Sequence, residues 1–292
     1  MKNCAFLTLD HRGDYVIDDE HAVEPLARLG WNVATVSWRQ KEITWGDFDA
    51  VIIRSTWDYW NDVPAFLDTL AVIDRETRLM NPLEIVHWNL AKTYLADLQD
   101  HGVGIVPTLW PEMIQADSFE AFFAQLGSNE LVIKPVIGAN GEDAYRVSRN
   151  DPEDTLAPIV ACFRNRRAMV QRFMPRILSE GEHSLFFFNG EFSHAILKTP
   201  AESEFRSQEE RGAQIRAVNP PERLLYRGLQ ALAALSSVPL YARADFVRND
   251  EGDHLVMELE LIEPSLYLRT DPQAPERFAR AVNARFGQVN HA

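Results

Sequence analysis

The feature that most narrows the fold is a change of rhythm along the chain. In residues 1–80, short apolar runs alternate with amphipathic stretches of helical length. Residues 5–9, 33–38, 50–54 and 79–80 read as strands, and 18–29 (stopped by Gly30) and 63–73 as helices. Such alternation implies an open, mostly parallel sheet. No Gly-x-Gly-x-x-Gly follows the first strand, so the ordinary dinucleotide fingerprint is absent. The middle of the chain reads as a helix capped by Asn89 and running to about His101, a strand at 131–136, a helix at 152–163 and a strand at 168–173. From Glu182 the character is antiparallel: strands at 184–188 and 191–198 flank Asn189-Gly190, and strands at 241–247 and 254–262 flank a turn at 249–252. Helices follow Pro221 and span 275–286. The expected organisation is α/β with three parts: 1–81, 82–170 and 171–292.

Charge bounds the partners. The chain has 292 residues and a formal net charge of −14, which argues against broad binding to nucleic acid or an anionic membrane. A polyanion would need a local basic site. Of the 29 basic residues only Lys2, Lys41, Lys92, Lys134 and Lys198 are lysines. No apolar run approaches the ~18 residues of a membrane span, and the run after Lys2 is too short for a secretion signal, so the expected location is cytoplasmic. Cys4 and Cys162 lie in no Cys-x-x-Cys and read as two reduced thiols.

Several clusters carry chemistry. In Val132-Ile-Lys134-Pro135, a lysine ends a buried strand, where its charge calls for an anion. Gly138 and Gly141 follow, allowing loop amides to approach phosphate oxygens. The lysine precedes the glycines, so this is not a Walker loop; the bland alternative is a snorkelling lysine beside a surface loop. Lys92 alone reads as a solvated helix lysine. The strand ending in Gln171-Arg-Phe173 can present its backbone to a flat heterocycle, although core strands look the same. Asp245, Glu258 and Glu260 converge on one sheet face, with Met257, Leu259 and Leu261 on the other. Hard oxygen ligands of this kind suit Mg²⁺ or Mn²⁺; the bland reading is a solvated sheet edge. Lys198, Arg206 and Arg243 fall around the preceding hairpin and the loop after it, and the bland reading of each alone is a surface cation.

Taken in order, these pieces resemble the ATP-grasp superfamily, in its glutathione-synthetase-like branch. Asn89-Leu-Ala-Lys92, the Lys134–Gly141 segment, Gln171-Arg-Phe173, Phe205-Arg206-Ser-Gln208 with Gly212, Arg243-Ala-Asp245 and Glu258-Leu-Glu260-Leu-Ile-Glu263-Pro264 are similar to that family's motifs. Ala213 replaces a usual glycine, and Glu260 stands where the family has Asn, which keeps an oxygen ligand and adds a charge. Arg54-Ser-Thr-Trp-Asp58-Tyr, Trp88-Asn89 and Glu180-Gly-Glu182-His-Ser are similar to the cyclo-ligases that close O-ureido-D-serine to D-cycloserine. The resemblance implies an ATP-grasp fold behind a Rossmann-like N-terminal domain, and an ATP-dependent ligase of a small amino-acid-like carboxylate with an amine or amide-like nitrogen, through an acyl phosphate. Ring closure is one form of this. The alternatives are a dipeptide-forming ligase and a non-catalytic ATP-binding regulatory protein.

The resemblance also assigns roles. Lys92, Lys134, Gly138, Gly141, Gln171 and Phe173 would bind ATP, and Asp245, Glu258 and Glu260 would bind Mg²⁺ or Mn²⁺. Lys198, Arg206 and Arg243 would neutralise charge developing during the reaction. The segment 104–170 would be a mobile lid. Arg54, Ser55, Thr56 and Asp58, at the C-terminal end of the third strand, are where open α/β sheets bind ligands, and with Glu182 they are the expected substrate contacts. Arg54 and Asp58 fixing the loop is the alternative. Relatives of this fold often form dimers, so a homodimer is an expectation of the resemblance alone.

Overall fold

The computed structural model describes residues 1–287. Strands β1 (Lys2–Thr8), β2 (Trp31–Ser37), β3 (Ala50–Ser55) and β4 (Arg78–Met80) form a parallel sheet in the order β2-β1-β3-β4, with α1 (Val23–Arg28) and α2 (Val63–Glu76) as crossovers. Strand β3 (AVIIRS) is buried along its whole length, as expected of a strand covered on both faces. Asp62 caps α2 by accepting from the Ala65 amide.

The expected helix 89–101 is corrected. Helix α3 (Leu83–Leu90) ends just after Asn89, Ala91 is extended, and α4 (Tyr94–Asp100) starts anew. Asn89 is no cap: its buried amide donates to the Leu259 carbonyl at 2.7 Å and accepts from the Leu261 amide at 2.8 Å. A side chain committed to another strand's backbone cannot also cap its own helix. The break leaves Lys92 between the helices, with its amide donating to the Val136 carbonyl at 2.8 Å.

A second four-stranded sheet follows, β5-β8-β6-β7, from β5 (Thr108–Leu109), β6 (Glu130–Pro135), β7 (Tyr145–Ser148) and β8 (Ala168–Arg172). Helices α5 (Ser118–Leu126) and α6 (Leu156–Cys162) cover it and supply Phe119, Phe122, Phe123 and Ile159 to its core. After α7 (Arg176–Glu180) comes a five-stranded antiparallel sheet in the order β11-β10-β9-β12-β13: β9 (Glu182–Phe188), β10 (Glu191–Thr199), β11 (Gln214–Ala217), β12 (Tyr241–Arg248) and β13 (His254–Glu260). Helices α8 (Glu222–Ala233) and α9 (Ala274–Gly287) complete this part. Ile85, Tyr94, Leu95 and Leu98 from α3 and α4 pack into the core of the five-stranded sheet, not that of the preceding one.

The N-terminal and five-stranded sheets are bonded closely. Phe6, Trp31 and Ile52 share one buried cluster with Phe186, Tyr241 and Phe278. Asn81, fully buried, donates to the Tyr241 and Leu261 carbonyls (3.0 and 2.8 Å) and accepts from the Leu240 amide. Both cysteines are free, and no described helix is long and apolar enough to cross a membrane.

Candidate active site

One cavity lies between the second and third sheets. Lys134, near the end of β6, places Nζ 2.7 Å from Glu258 Oε1. Lys92 reaches within 4.0 Å of the same oxygen while donating to the Gly138 carbonyl at 2.7 Å. Burial alone would raise the Glu258 pKa, but Lys134 and Lys92 outweigh it and hold it at about 2.

A second ionic group sits beside the first. In the β12–β13 register, Asp245 faces Glu258 and Arg243 faces Glu260. Asp245 accepts from Ser184 Oγ at 2.5 Å and from Arg243 Nε and Nη2 at 3.1 and 3.0 Å, with Lys198 Nζ 3.5 Å away. Lys198 bonds Glu182 at 2.7 Å, and Arg243 also pairs with Glu260 and donates to the Ser265 carbonyl at 3.2 Å. Glu182, Lys198, Arg243 and Asp245 are buried and Glu260 is half-buried, so each depends on its partners. Burial would raise Asp245, yet Arg243 and Lys198 hold it below the carboxylate range. Burial pushes Glu182 up against the pull of Lys198. Glu260 is raised by burial, opposed by Arg243 and assisted by Asp245 and Glu258, to about 7. Glu263, raised by burial and then by Glu260, reaches about 8. Among the described residues no three acidic, His or Cys side chains are grouped as a ready metal site. Asp245, Glu258 and Glu260 each bond a lysine or an arginine instead.

The alternation predicted for β13 needs one correction. A bulge between Asp245 and Phe246 leaves Met257 without a partner in the pairing. Leu259 and Leu261 are in the core as expected, but Met257 lines the cavity beside Glu258. It joins Val106, Val132, Phe173, Met174 and Ile177 in an apolar slot. Gln171, near the end of β8, donates to Thr108 Oγ1 at 3.0 Å, and the amides of Arg172 and Phe173 are taken by the Pro107 and Glu130 carbonyls. Met174 is therefore the first amide past this strand end without such a bond among the described residues.

The glycine loop lines the cavity beside Lys92 and Lys134. Gly141 has φ +63°, and a Cβ there would stand 3.0 Å from Gln208 Oε1; at Gly138 it would stand 2.9 Å from Pro135 Cγ. Arg206 donates to the Gly141 carbonyl at 3.3 Å and is held in a fork by Glu204, whose pKa this bonding lowers to about 2.

Lys92, Lys134, Gly138, Gly141, Gln171, Phe173, Glu182, Lys198, Arg206, Arg243, Asp245, Glu258 and Glu260 thus line one cavity. Four expected substrate contacts do not. Arg54 is 2% exposed, bonded to Asp19 (2.9 Å) and the Pro264 carbonyl (3.0 Å) and stacked near the Tyr241 ring. Ser55 bonds Thr8, Thr56 is fully buried, and Asp58 accepts from Trp38 Nε1 and Arg39 Nε. The strand end is packed against Pro264 and its neighbours, and the Arg54, Ser55 and Asp58 side chains are all bonded to other parts of the chain. Trp57 and Tyr59 line the cavity instead, with the Trp57 indole donating to the Glu263 carbonyl at 2.8 Å. Sequence reasoning also passed over Glu263, Asn140 and Tyr267 as cavity-lining residues. Glu263 stood within a quoted motif, whereas Tyr267, four residues further on, carried no signal.

Residues 4–81 match the family described as D-cycloserine synthetase DcsG, N-terminal domain, and residues 105–225 match prokaryotic glutathione synthetase, ATP-grasp domain. The cycloserine biosynthesis protein DcsG of Streptomyces lavendulae is 30% identical over 284 residues, 90% of this chain and 92% of that protein. The crystal structure of D-cycloserine synthetase DcsG superposes with a TM-score of 0.84 at 28% identity, covering 97% of this chain and 99% of that one. The ATP-grasp ligase PsnB, solved with a minimal precursor, Mg and ADP, shares the fold at a TM-score of 0.65 and 14% identity, covering 98% of each chain.

Proposed function

Because the chain belongs to the ATP-grasp superfamily, with a glutathione-synthetase-like ATP-grasp domain and a D-cycloserine-synthetase-type N-terminal domain, we propose that it is an ATP-dependent ligase joining a small amino-acid-like carboxylate to nitrogen through an acyl phosphate. The observation that carries this reading is the meeting of Lys92, Lys134, Asp245, Glu258, Glu260, Lys198 and Arg243 in one cavity. The adenine would enter the apolar slot between Val132, Phe173 and Met257, near the Met174 amide. Lys134 and Lys92 would leave Glu258 for the phosphates, under the glycine loop. The unit around 104–170 is the proposed lid, which would exclude water from the activated acid.

The cavity wall carries eight acidic side chains against six basic ones, so a triphosphate needs added positive charge there. Burial raises the Glu260 pKa first, and the neighbouring Asp245 and Glu258 carboxylates add to it. Asp245, Glu258 and Glu260 offer only oxygen donors, so the residues fit Mg²⁺ or Mn²⁺. Bound there, the ion would offset phosphate charge. Lys198 and Arg206 would hold the acid carboxylate and its developing charge, and Arg243 the oxyanion formed when nitrogen attacks. Positioning and electrostatics supply the catalysis. Ring closure, as the D-cycloserine synthetases' name indicates for them, is the form of ligation we favour, on the 30% identity spread over nearly the whole chain.

The test is ADP release from Mg·ATP with a panel of small carboxylates: O-ureido-D-serine, its L form, and D- and L-alanine. Release dependent on one carboxylate, with an amide-type product, supports a ligase. A cyclic product from a single substrate separates ring closure from dipeptide formation. ATP bound without ADP release across the panel would favour the regulatory reading.

A further inference from the structure

Tyr267 is a bulky residue in the left-handed region, at φ +45° and ψ +41°. Side chains with a Cβ rarely adopt that conformation, and a bulky one there is an outlier. The surroundings enforce it. Leu266 and Leu268, each 1% exposed, anchor the chain on either side in the core. The Leu266 carbonyl accepts from His194 Nε2 at 3.0 Å, and the Tyr267 carbonyl accepts from the amide and hydroxyl of Thr270 at 2.9 and 2.8 Å. A backbone held this firmly in a costly conformation fixes the direction of its side chain.

That side chain is 7% exposed and lines the cavity, packed on Phe186. Lys198 Nζ lies 6.0 Å from the ring centroid and the Arg269 guanidinium 5.0 Å. Arg243, through its bond to the Ser265 carbonyl, holds the same turn two residues earlier. The phenol therefore stands at the part of the cavity where Lys198 and Arg243 are gathered. No described group hydrogen-bonds its hydroxyl, and that oxygen is not among the buried polar atoms without a partner, so it is open to the cavity. Burial keeps it protonated, against the pull of Lys198 and Arg243, so it is a donor. A donor beside two cations, without a protein acceptor, is complementary to an anionic oxygen.

We propose that the Tyr267 hydroxyl donates a hydrogen bond to the carboxylate of the acid substrate, alongside Lys198, and so helps to fix the oxygen that receives the phosphoryl group. This assignment rests on the ligase reading. Tyr267→Phe keeps the ring, its packing and the backbone conformation, and removes only the donor.

The experiment measures steady-state kinetics of wild type and Tyr267→Phe with Mg·ATP and O-ureido-D-serine, or the panel member that wild type turns over best. Expected is a loss of about ten- to a hundredfold in kcat/KM for the carboxylate, with the KM for ATP and the thermal midpoint unchanged. Equal kcat/KM in the two proteins would overturn the assignment while leaving the ligase intact. A loss shared with the KM for ATP, or a lowered thermal midpoint, would overturn it in favour of a packing role. A wild-type chain that releases no ADP with any member would remove the reaction and this role together.

Discussion

Replacing Glu258 with Gln tests the ionic centre of the cavity. The substitution keeps the shape and removes one charge, leaving Lys134 and Lys92 (side chains 13% and 15% exposed) without their shared counter-ion. Holding a carboxyl at about 2 instead of 4.5 corresponds to roughly 3 kcal/mol in favour of its charged form. The folded value lies below the unfolded one. The contribution is therefore complete above about pH 4.5 and is lost as pH falls toward 2. Denaturant unfolding of wild type and Glu258→Gln across pH 3–7 measures this. Expected is a stability gap of about 2–3 kcal/mol at pH 7 that narrows steadily below pH 4.5. At pH 7 the folded variant should lose at least about a hundredfold in ATP turnover, because a group proposed to serve the phosphates and their metal is gone. A gap that stays constant down to pH 3 would refute the pairing, and near-wild-type turnover would refute the role.

Other substitutions separate chemistry from scaffold. Lys134→Ala should abolish ADP release while the circular-dichroism spectrum stays native, since the site keeps the second cation Lys92 within 4.0 Å of Glu258. Arg54→Leu should destabilise the chain by about 3–5 kcal/mol in thermal or denaturant unfolding, because it strands Asp19 and the Pro264 carbonyl. At a temperature where that variant remains folded, its KM for ATP should match wild type; a selective rise in the carboxylate KM with stability intact would restore Arg54 as a substrate contact. Asn89→Ala leaves the Leu259 carbonyl and Leu261 amide without partners and should cost about 2–4 kcal/mol in the same assay.

The sequence was most legible where structure repeats a simple period. The four N-terminal strands, the Asn189-Gly190 hairpin and the β12–β13 pair follow directly from apolar alternation and turn residues. Short elements with few residues to average over, β5, β7, α7 and β11, were passed over, as was α5. The misread segment at 89–101 shows why. The run is helical in pattern, but Asn89 is used to bond β13, 170 residues away in sequence, and the helix breaks to let Lys92 turn inward. Met257 is a similar case: period-2 reasoning assumes unbroken pairing, and one bulge reverses its face. The cavity residues carried by motifs were legible because their chemistry is unusual for buried positions. Arg54 and Asp58 have the same residue types, yet their charges are spent on Asp19, Trp38 and Arg39, which nothing in the local sequence signals. Tyr267 was invisible because its significance lies in a backbone angle.

The most direct test of the acyl-phosphate account follows oxygen. The panel carboxylate that turns over would be labelled with ¹⁸O in its carboxyl group and converted with Mg·ATP, and the released phosphate analysed by mass spectrometry or ³¹P NMR. The account predicts ADP as the nucleotide product and one labelled oxygen in each released phosphate, carried over when nitrogen displaces the phosphate from the acid. Unlabelled phosphate alongside a labelled or absent product, or release of AMP, would contradict it.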